Sequence, residues 1–191
     1  MGRIIVVCLL LFMLSACTAL TAVGGAAVNG ALYMFTAEKK SLPYPMRSIL
    51  VATQKTLESM ELSANLVEPV EDGYILQFAN KKLSGGLHLR RETARLTTIS
   101  GRVYKTVARE KSVEIAIFEG IESRVKKVRR SERFNFKKYR YIREQASVKS
   151  AKVGWYIPGT ELKVSPTSEM DWLQVKMPSG KKAFLKGYIK K

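Results

Sequence analysis

A single histidine, His88, and two cysteines, Cys8 and Cys17, are all the imidazole and thiol chemistry this chain contains. Both cysteines lie in the first seventeen residues, so no disulfide framework can staple the folded part. A Cys/His metal site is excluded, and a Ser-His-Asp or Cys-His catalytic arrangement could draw only on His88. Carboxylates are scarce as well: 16 Asp and Glu stand against 33 Lys and Arg, for a net charge of +17. The longest unbroken apolar run, Ile4 to Leu14, falls short of the roughly 18 residues expected of a membrane-spanning helix. No Gly-rich phosphate loop occurs, since Gly85-Gly86 reads as a turn.

What is present bounds the class. The chain has 191 residues, 46% apolar and 26% charged, a balance that excludes wholesale disorder and a polytopic membrane protein. Arg3 supplies a positive start, Ile4–Leu14 an apolar segment of signal-peptide length, and Leu14-Ser15-Ala16-Cys17 ends it. This N-terminus resembles the lipobox of bacterial lipoproteins. The resemblance implies a signal peptide over 1–16 and a mature chain beginning at Cys17, whose thiol carries the lipid. Acyl chains on Cys17 would be the membrane anchor. Thr18, in place of Asp, favours the periplasmic face of the outer membrane. An uncleaved anchor helix is the other reading, because small and apolar residues continue to Phe35, although Gly24, Gly25, Asn29 and Gly30 interrupt them.

Residues 17–40 read as a Gly/Ala-rich tether that becomes a first strand near Val28–Phe35 and ends at Glu38-Lys39-Lys40. Residues 41–128 read as one small α/β domain. Pro43 and Pro45 open a helix over about 45–60, with Met46, Ile49, Leu50, Thr53, Leu57 and Met60 on one face. Alternation predicts strands around Leu62–Leu66, Tyr74–Phe78, Leu87–Arg91 and Leu96–Tyr104, with Asp72-Gly73 as a turn. A second helix is expected over about 106–128, with Val113, Ile117, Ile121, Val125 and Val128 inward. The predicted order gives an antiparallel sheet with two helices on one face. On Val28, Gly30, Leu32 and this element order, residues 17–127 resemble a family of short bacterial lipoproteins of unknown function. Tyr104-Lys105-Thr106 stands where that family has a Gly-Phe-Gly-Asp-like segment. His88 reads as a solvated strand residue, and Glu110, Glu114 and Glu122 as a solvated helix face.

The positive charge concentrates after residue 127. In the segment 126–143, Lys126, Lys127, Arg129, Arg130, Arg133, Lys137, Lys138, Arg140 and Arg143 are opposed only by Glu132 and interleaved with Phe134, Phe136, Tyr139 and Tyr141. Cations with aromatics suit a polyanion. The signal peptide turns that reading away from nucleic acid toward anionic lipid or wall polymer. A basic linker over 129–138 is the plainer alternative.

From about Tyr139 the period is two, with turns at Gly159-Thr160 and Pro178-Ser179-Gly180. Residues 139–191 resemble the bacterial SH3 domain. The matches are Ala146–Ser150, Lys152, Val153, Ile157, Gly159, Thr160, Leu162, Trp172 to Val175, Gly180–Leu185 and Tyr188-Ile189. Ala183 and Phe184 replace a Gly and a Trp of that pattern. The resemblance implies a small all-β barrel, separate from the α/β domain, that binds cell-wall peptide or glycan or serves as a spacer. Trp155, Tyr156, Trp172, Phe184 and Tyr188 are candidate groove residues, with Trp172 and Phe184 also candidates for barrel core. Trp155 and Tyr156 should face opposite ways, leaving one exposed.

The expected fold is thus α+β, an N-terminal sheet with two helices plus a C-terminal SH3-like barrel. The expected role is that of a lipid-anchored, non-enzymatic envelope protein without cofactors. It would bind peptidoglycan or an envelope protein, or act as an interaction subunit of an envelope complex without wall binding.

Overall fold

The structure, a computed structural model, describes residues 38–187. The tether, the Val28–Phe35 segment, Cys17 and Tyr188 lie outside those residues.

Pro45, held at φ −67° and ψ 148°, starts helix α1 (Met46–Ser59). Its carbonyl accepts from the Ser48 and Ile49 N–H groups. Met46, Ile49, Leu50 and Leu57 are buried along one side. The chain has already formed strand β1 (Glu38–Leu42), which pairs with β5 (Leu96–Lys105). It then runs through β2 (Ser63–Val70), β3 (Gly73–Ala79) and β4 (Ser84–Thr93) into β5 as an antiparallel meander. Leu76, Phe78, Leu87, Leu89, Ile99 and Val103 alternate onto the face that α1 covers.

Helix α2 (Lys111–Val125) is shorter than its apolar spacing suggested. Residues Thr106 and Val107 instead turn the chain into β6 (Ala108–Arg109), which pairs back on β5. Ile117, Phe118, Ile121 and Val125 join the core beneath α2. The helices cross closely at Gly120, where a Cβ would lie 2.7 Å from Cγ2 of Thr56. Neither helix is long and apolar enough to cross a membrane.

The expected separation into an α/β domain and an SH3-like barrel is overturned. The C-terminal strands are β7 (Arg140–Arg143), β8 (Lys152–Tyr156), β9 (Val164–Pro166), β10 (Trp172–Lys176) and β11 (Lys182–Lys186). They continue the N-terminal sheet. The eleven strands form one antiparallel sheet in the order β1-β5-β4-β3-β2-β8-β7-β11-β10-β9, with β6 beside β5. The junction is β2–β8, where Leu66 pairs with Tyr156 and Val67 with Trp155. The Ile157 N–H donating to the Asn65 carbonyl at 2.9 Å extends it. Strand β8 therefore fills one edge with β7 and the other with β2, while β9 pairs only with β10. A barrel closed on itself would need those edges for its own strands.

The core shares the same seam. Leu66 points into a second apolar cluster with Ile142, Tyr156, Leu173, Val175, Met177, Ala183 and Leu185, while its neighbour Val67 points into the helical cluster. Gly154 permits the close junction, since a Cβ there would sit 3.0 Å from the Val67 carbonyl oxygen and 2.8 Å from Cε of Met177. A long-range pairing of this kind leaves no local trace in the sequence.

Candidate cationic and aromatic binding surface

The basic segment is anchored along its length. Phe134 is buried in the helical core, and Phe136 and Tyr139 pack against it. The ring centroids of Phe134 and Phe136 are 4.5 Å apart, and Phe136 stacks on Trp155 at 4.5 Å with a 32° tilt. Tyr139 closes the cluster at 5.6 Å from both phenylalanines. Burial holds its hydroxyl well above the usual phenol range, and the Glu58 charge adds to that.

Helix α1 secures the backbone of this strap. The Gln54 amide accepts from the Asn135 N–H at 2.7 Å and donates to the Asn135 carbonyl. Nη1 of Arg47 donates to the carbonyls of Arg129, Arg130 and Glu132. Lys55 pairs with Glu132, whose carboxyl is held below the ordinary glutamate range chiefly by that hydrogen bond. With rings and carbonyls turned inward, Lys126, Lys127, Arg129, Arg130, Arg133, Lys137, Lys138 and Arg140 are left exposed. The ninth cation of the segment, Arg143, is half-buried and donates to the Ser150 carbonyl at 2.6 Å.

The candidate groove residues divide differently from expectation. Tyr156 is buried in the second cluster, its hydroxyl donating to the Lys186 carbonyl. Burial raises that hydroxyl's pKa, against an opposing pull from Arg140. Trp155 faces the other way, as alternation requires, but it lies against Phe136 and is half-buried; neither of the pair is freely exposed. Trp172 and Phe184 are half-buried and are not core, because the inward positions of β10 and β11 belong to Leu173, Val175, Ala183 and Leu185.

Strand register then places Trp172 opposite Lys186, Gln174 opposite Phe184, Phe184 opposite Arg143, and Arg143 opposite Lys152. Tyr141, opposite Trp155, belongs to the same face; it is 46% exposed, and Nζ of Lys152 stands 3.8 Å from its ring centroid. Three rings thus each stand beside a cation on one face: Trp172 by Lys186, Phe184 by Arg143 and Tyr141 by Lys152. Sequence reasoning counted Tyr141 among the aromatics of the basic segment but did not single out Lys152 as part of a surface, because the partner strands that bring the two together were not visible.

Two polar residues read as solvated are not. Glu114 has a side chain only 1% exposed. It accepts from the Val103 N–H at 3.0 Å and from Nε and Nη2 of Arg109 at 2.9 and 2.7 Å. Burial pushes its carboxyl up, but the Arg109 and Val103 hydrogen bonds outweigh that and hold it below the ordinary glutamate range. His88 is half-buried, with Nε2 3.2 Å from Oδ1 of Asp72. Glu122 pairs with Lys40 and stays at the surface. Among the described residues no group of three or more His, Cys, Asp or Glu side chains is placed to hold a metal ion.

The architecture defines an antiparallel-sheet protein that presents a cationic strap and a ring-and-cation sheet face. The chain belongs to the family described as Protein of unknown function (DUF3568), whose model matches residues 3–115, more than half its length. That match covers the signal-like segment, the meander and the start of α2, and stops before the strap. No curated protein matches the chain.

Proposed function

We propose that this is a lipid-anchored, non-enzymatic protein of the bacterial cell envelope, held through Cys17 at the periplasmic face of the outer membrane, whose C-terminal half binds anionic wall material. The observation that carries the reading is the strap: a backbone pinned by Arg47, Gln54 and buried Phe134, with its cations turned outward. Preformed charge binds a polyanion without the ordering cost a flexible basic tail would bear. Near an anionic surface each such cation contributes about 1 kcal/mol. The Leu14-Ser15-Ala16-Cys17 sequence supplies the address.

The test has two arms. Wild type should incorporate a palmitate analogue and Cys17→Ala should not; equal labelling of the two removes the anchor. In sacculus pull-down, full-length protein should be retained and released by rising salt. Reversing Lys126, Lys127, Arg129 and Arg130 to Glu should abolish retention while the circular dichroism spectrum stays unchanged. Retention that survives both salt and reversal would instead favour an uncharged protein–protein interface and a role as an interaction subunit.

A further inference from the structure

We infer that the face of β7, β10 and β11 that carries Tyr141, Phe184 and Trp172, bordering the strap where Phe136 covers Trp155, is a second binding surface for a chain of sugar rings bearing carboxylate or phosphate groups. This deepens the wall-binding reading and rests on it for the source of the ligand.

The argument starts from the register. Tyr141, Phe184 and Trp172 are ring-bearing positions on β7, β11 and β10, and Lys152, Arg143 and Lys186 are their cationic neighbours on the same face. Residues directly opposite on neighbouring strands sit about 5 Å apart and diagonal ones about 7–8 Å apart. No carboxylate occupies a paired position among these residues, and the polar residue opposite Phe184 on β10 is the neutral Gln174.

Stability alone does not require this pattern. The second apolar cluster on the reverse of these strands is filled by Leu66, Ile142, Leu173, Val175, Met177 and Leu185. The three rings add little to it, and Tyr141 is 46% exposed. A flat ring offers its face to the C–H surface of a pyranose, while the interspersed cations pair with acidic substituents along the same chain. A neutral glycan would leave the cations unpaired, and a compact anion would leave the rings unused. An extended acidic polysaccharide uses both, which is the electrostatic match that favours it. The helices pack on β1, β2, β4 and β5 and leave this face clear of them.

The chain's two tryptophans make the test direct. Trp172 lies on the proposed face away from the strap, whereas Trp155, on the same side of the sheet, is covered by Phe136. Polygalacturonate oligosaccharides added to full-length protein in mild detergent should protect tryptophan emission from acrylamide quenching. Trp172→Phe should remove the ligand-dependent change. Phe184→Ala and the surface variant Lys186→Glu should each weaken binding about tenfold, equivalent to about 1.4 kcal/mol. Lys186 is exposed, so its variant keeps the test decisive if Phe184→Ala fails to fold. Neutral dextran should give no protection.

Unchanged polygalacturonate affinity in folded Lys186→Glu and Phe184→Ala overturns the inference. So does oligo-dT binding as tightly as polygalacturonate, which would make the face a general polyanion or nucleic-acid surface. The two readings fail separately. If the face variants bind polygalacturonate normally while strap reversal abolishes sacculus retention, this inference falls and the strap reading stands. If strap reversal leaves retention intact while the face variants lose polygalacturonate, the strap reading falls and this one stands.

Discussion

Glu68, on the strand shared by both halves of the sheet, accepts hydrogen bonds from the backbone N–H and the hydroxyl of Ser179, on the turn between β10 and β11. Glu68 is 3% exposed, and 111 residues separate the pair. The contact ties the Pro178-Ser179-Gly180 turn to β2, so the two apolar clusters are braced at a second point beyond the β2–β8 pairing.

Removing that acceptor should loosen the C-terminal strands without melting the helices first. Glu68→Ala is expected to cost about 1–3 kcal/mol in urea unfolding, the usual penalty for stranding buried or half-buried donors. Ser179→Ala, which keeps the backbone donor, should cost less. A change within error for Glu68→Ala would show that the turn is held by its own backbone alone.

The Arg109–Glu114 pair should behave asymmetrically. Arg109→Ala leaves a carboxylate that is 1% exposed without its two-pronged guanidinium partner, and is expected to cost about 3–5 kcal/mol. Glu114→Gln leaves an arginine that is 27% exposed and can reach water, so it should cost less. Equal losses would mean that the guanidinium contributes packing rather than charge.

The same pair sets a pH dependence. The folded carboxyl of Glu114 lies below its ordinary range, so its contribution is complete above that range and is lost as pH falls through the folded value. Wild-type urea midpoints should fall on acidification more steeply than those of Glu114→Gln. Parallel curves would assign the acid sensitivity to other carboxylates.

Gly120→Ala should destabilise despite the better helix propensity of alanine, worth about 1 kcal/mol. The new methyl would meet Cγ2 of Thr56 at 2.7 Å, on a side chain that is stiff at χ1 and 1% exposed. A net loss of about 1–3 kcal/mol is expected, with recovery in the Thr56→Ser, Gly120→Ala double variant. No recovery would place the clash on the backbone.

Thr106 occupies left-handed backbone at φ 58°, costly for a β-branched residue. Thr106→Asn should raise stability by about 0.5–1 kcal/mol, measured by thermal or urea unfolding. A loss would show that the threonine side chain holds the β5–β6 turn.

The local devices of this fold could be read from the chain. Pro45 and the spacing of Ile49, Leu50 and Leu57 determine α1, alternation determines the strands from Ser63 to Lys105, and aromatics interleaved with cations mark the 126–143 segment as unusual. Each signal is a period or a terminus, carried within one element. Tertiary structure decided the rest. Whether the strands after Tyr139 closed on themselves or joined β2 depended on which edge β8 met, and hydrogen-bonding edges are nearly the same for every strand. Glu114 looked solvated because Arg109, five residues earlier, is in β6 rather than on the helix, and the turn at Thr106–Val107 brings it over the carboxylate. Trp172 and Phe184 read better as core than as groove, yet either parity of a strand is possible until the opposite face is filled. Here Leu173, Val175, Ala183 and Leu185 filled it, and the rings were left facing out among lysines and arginine.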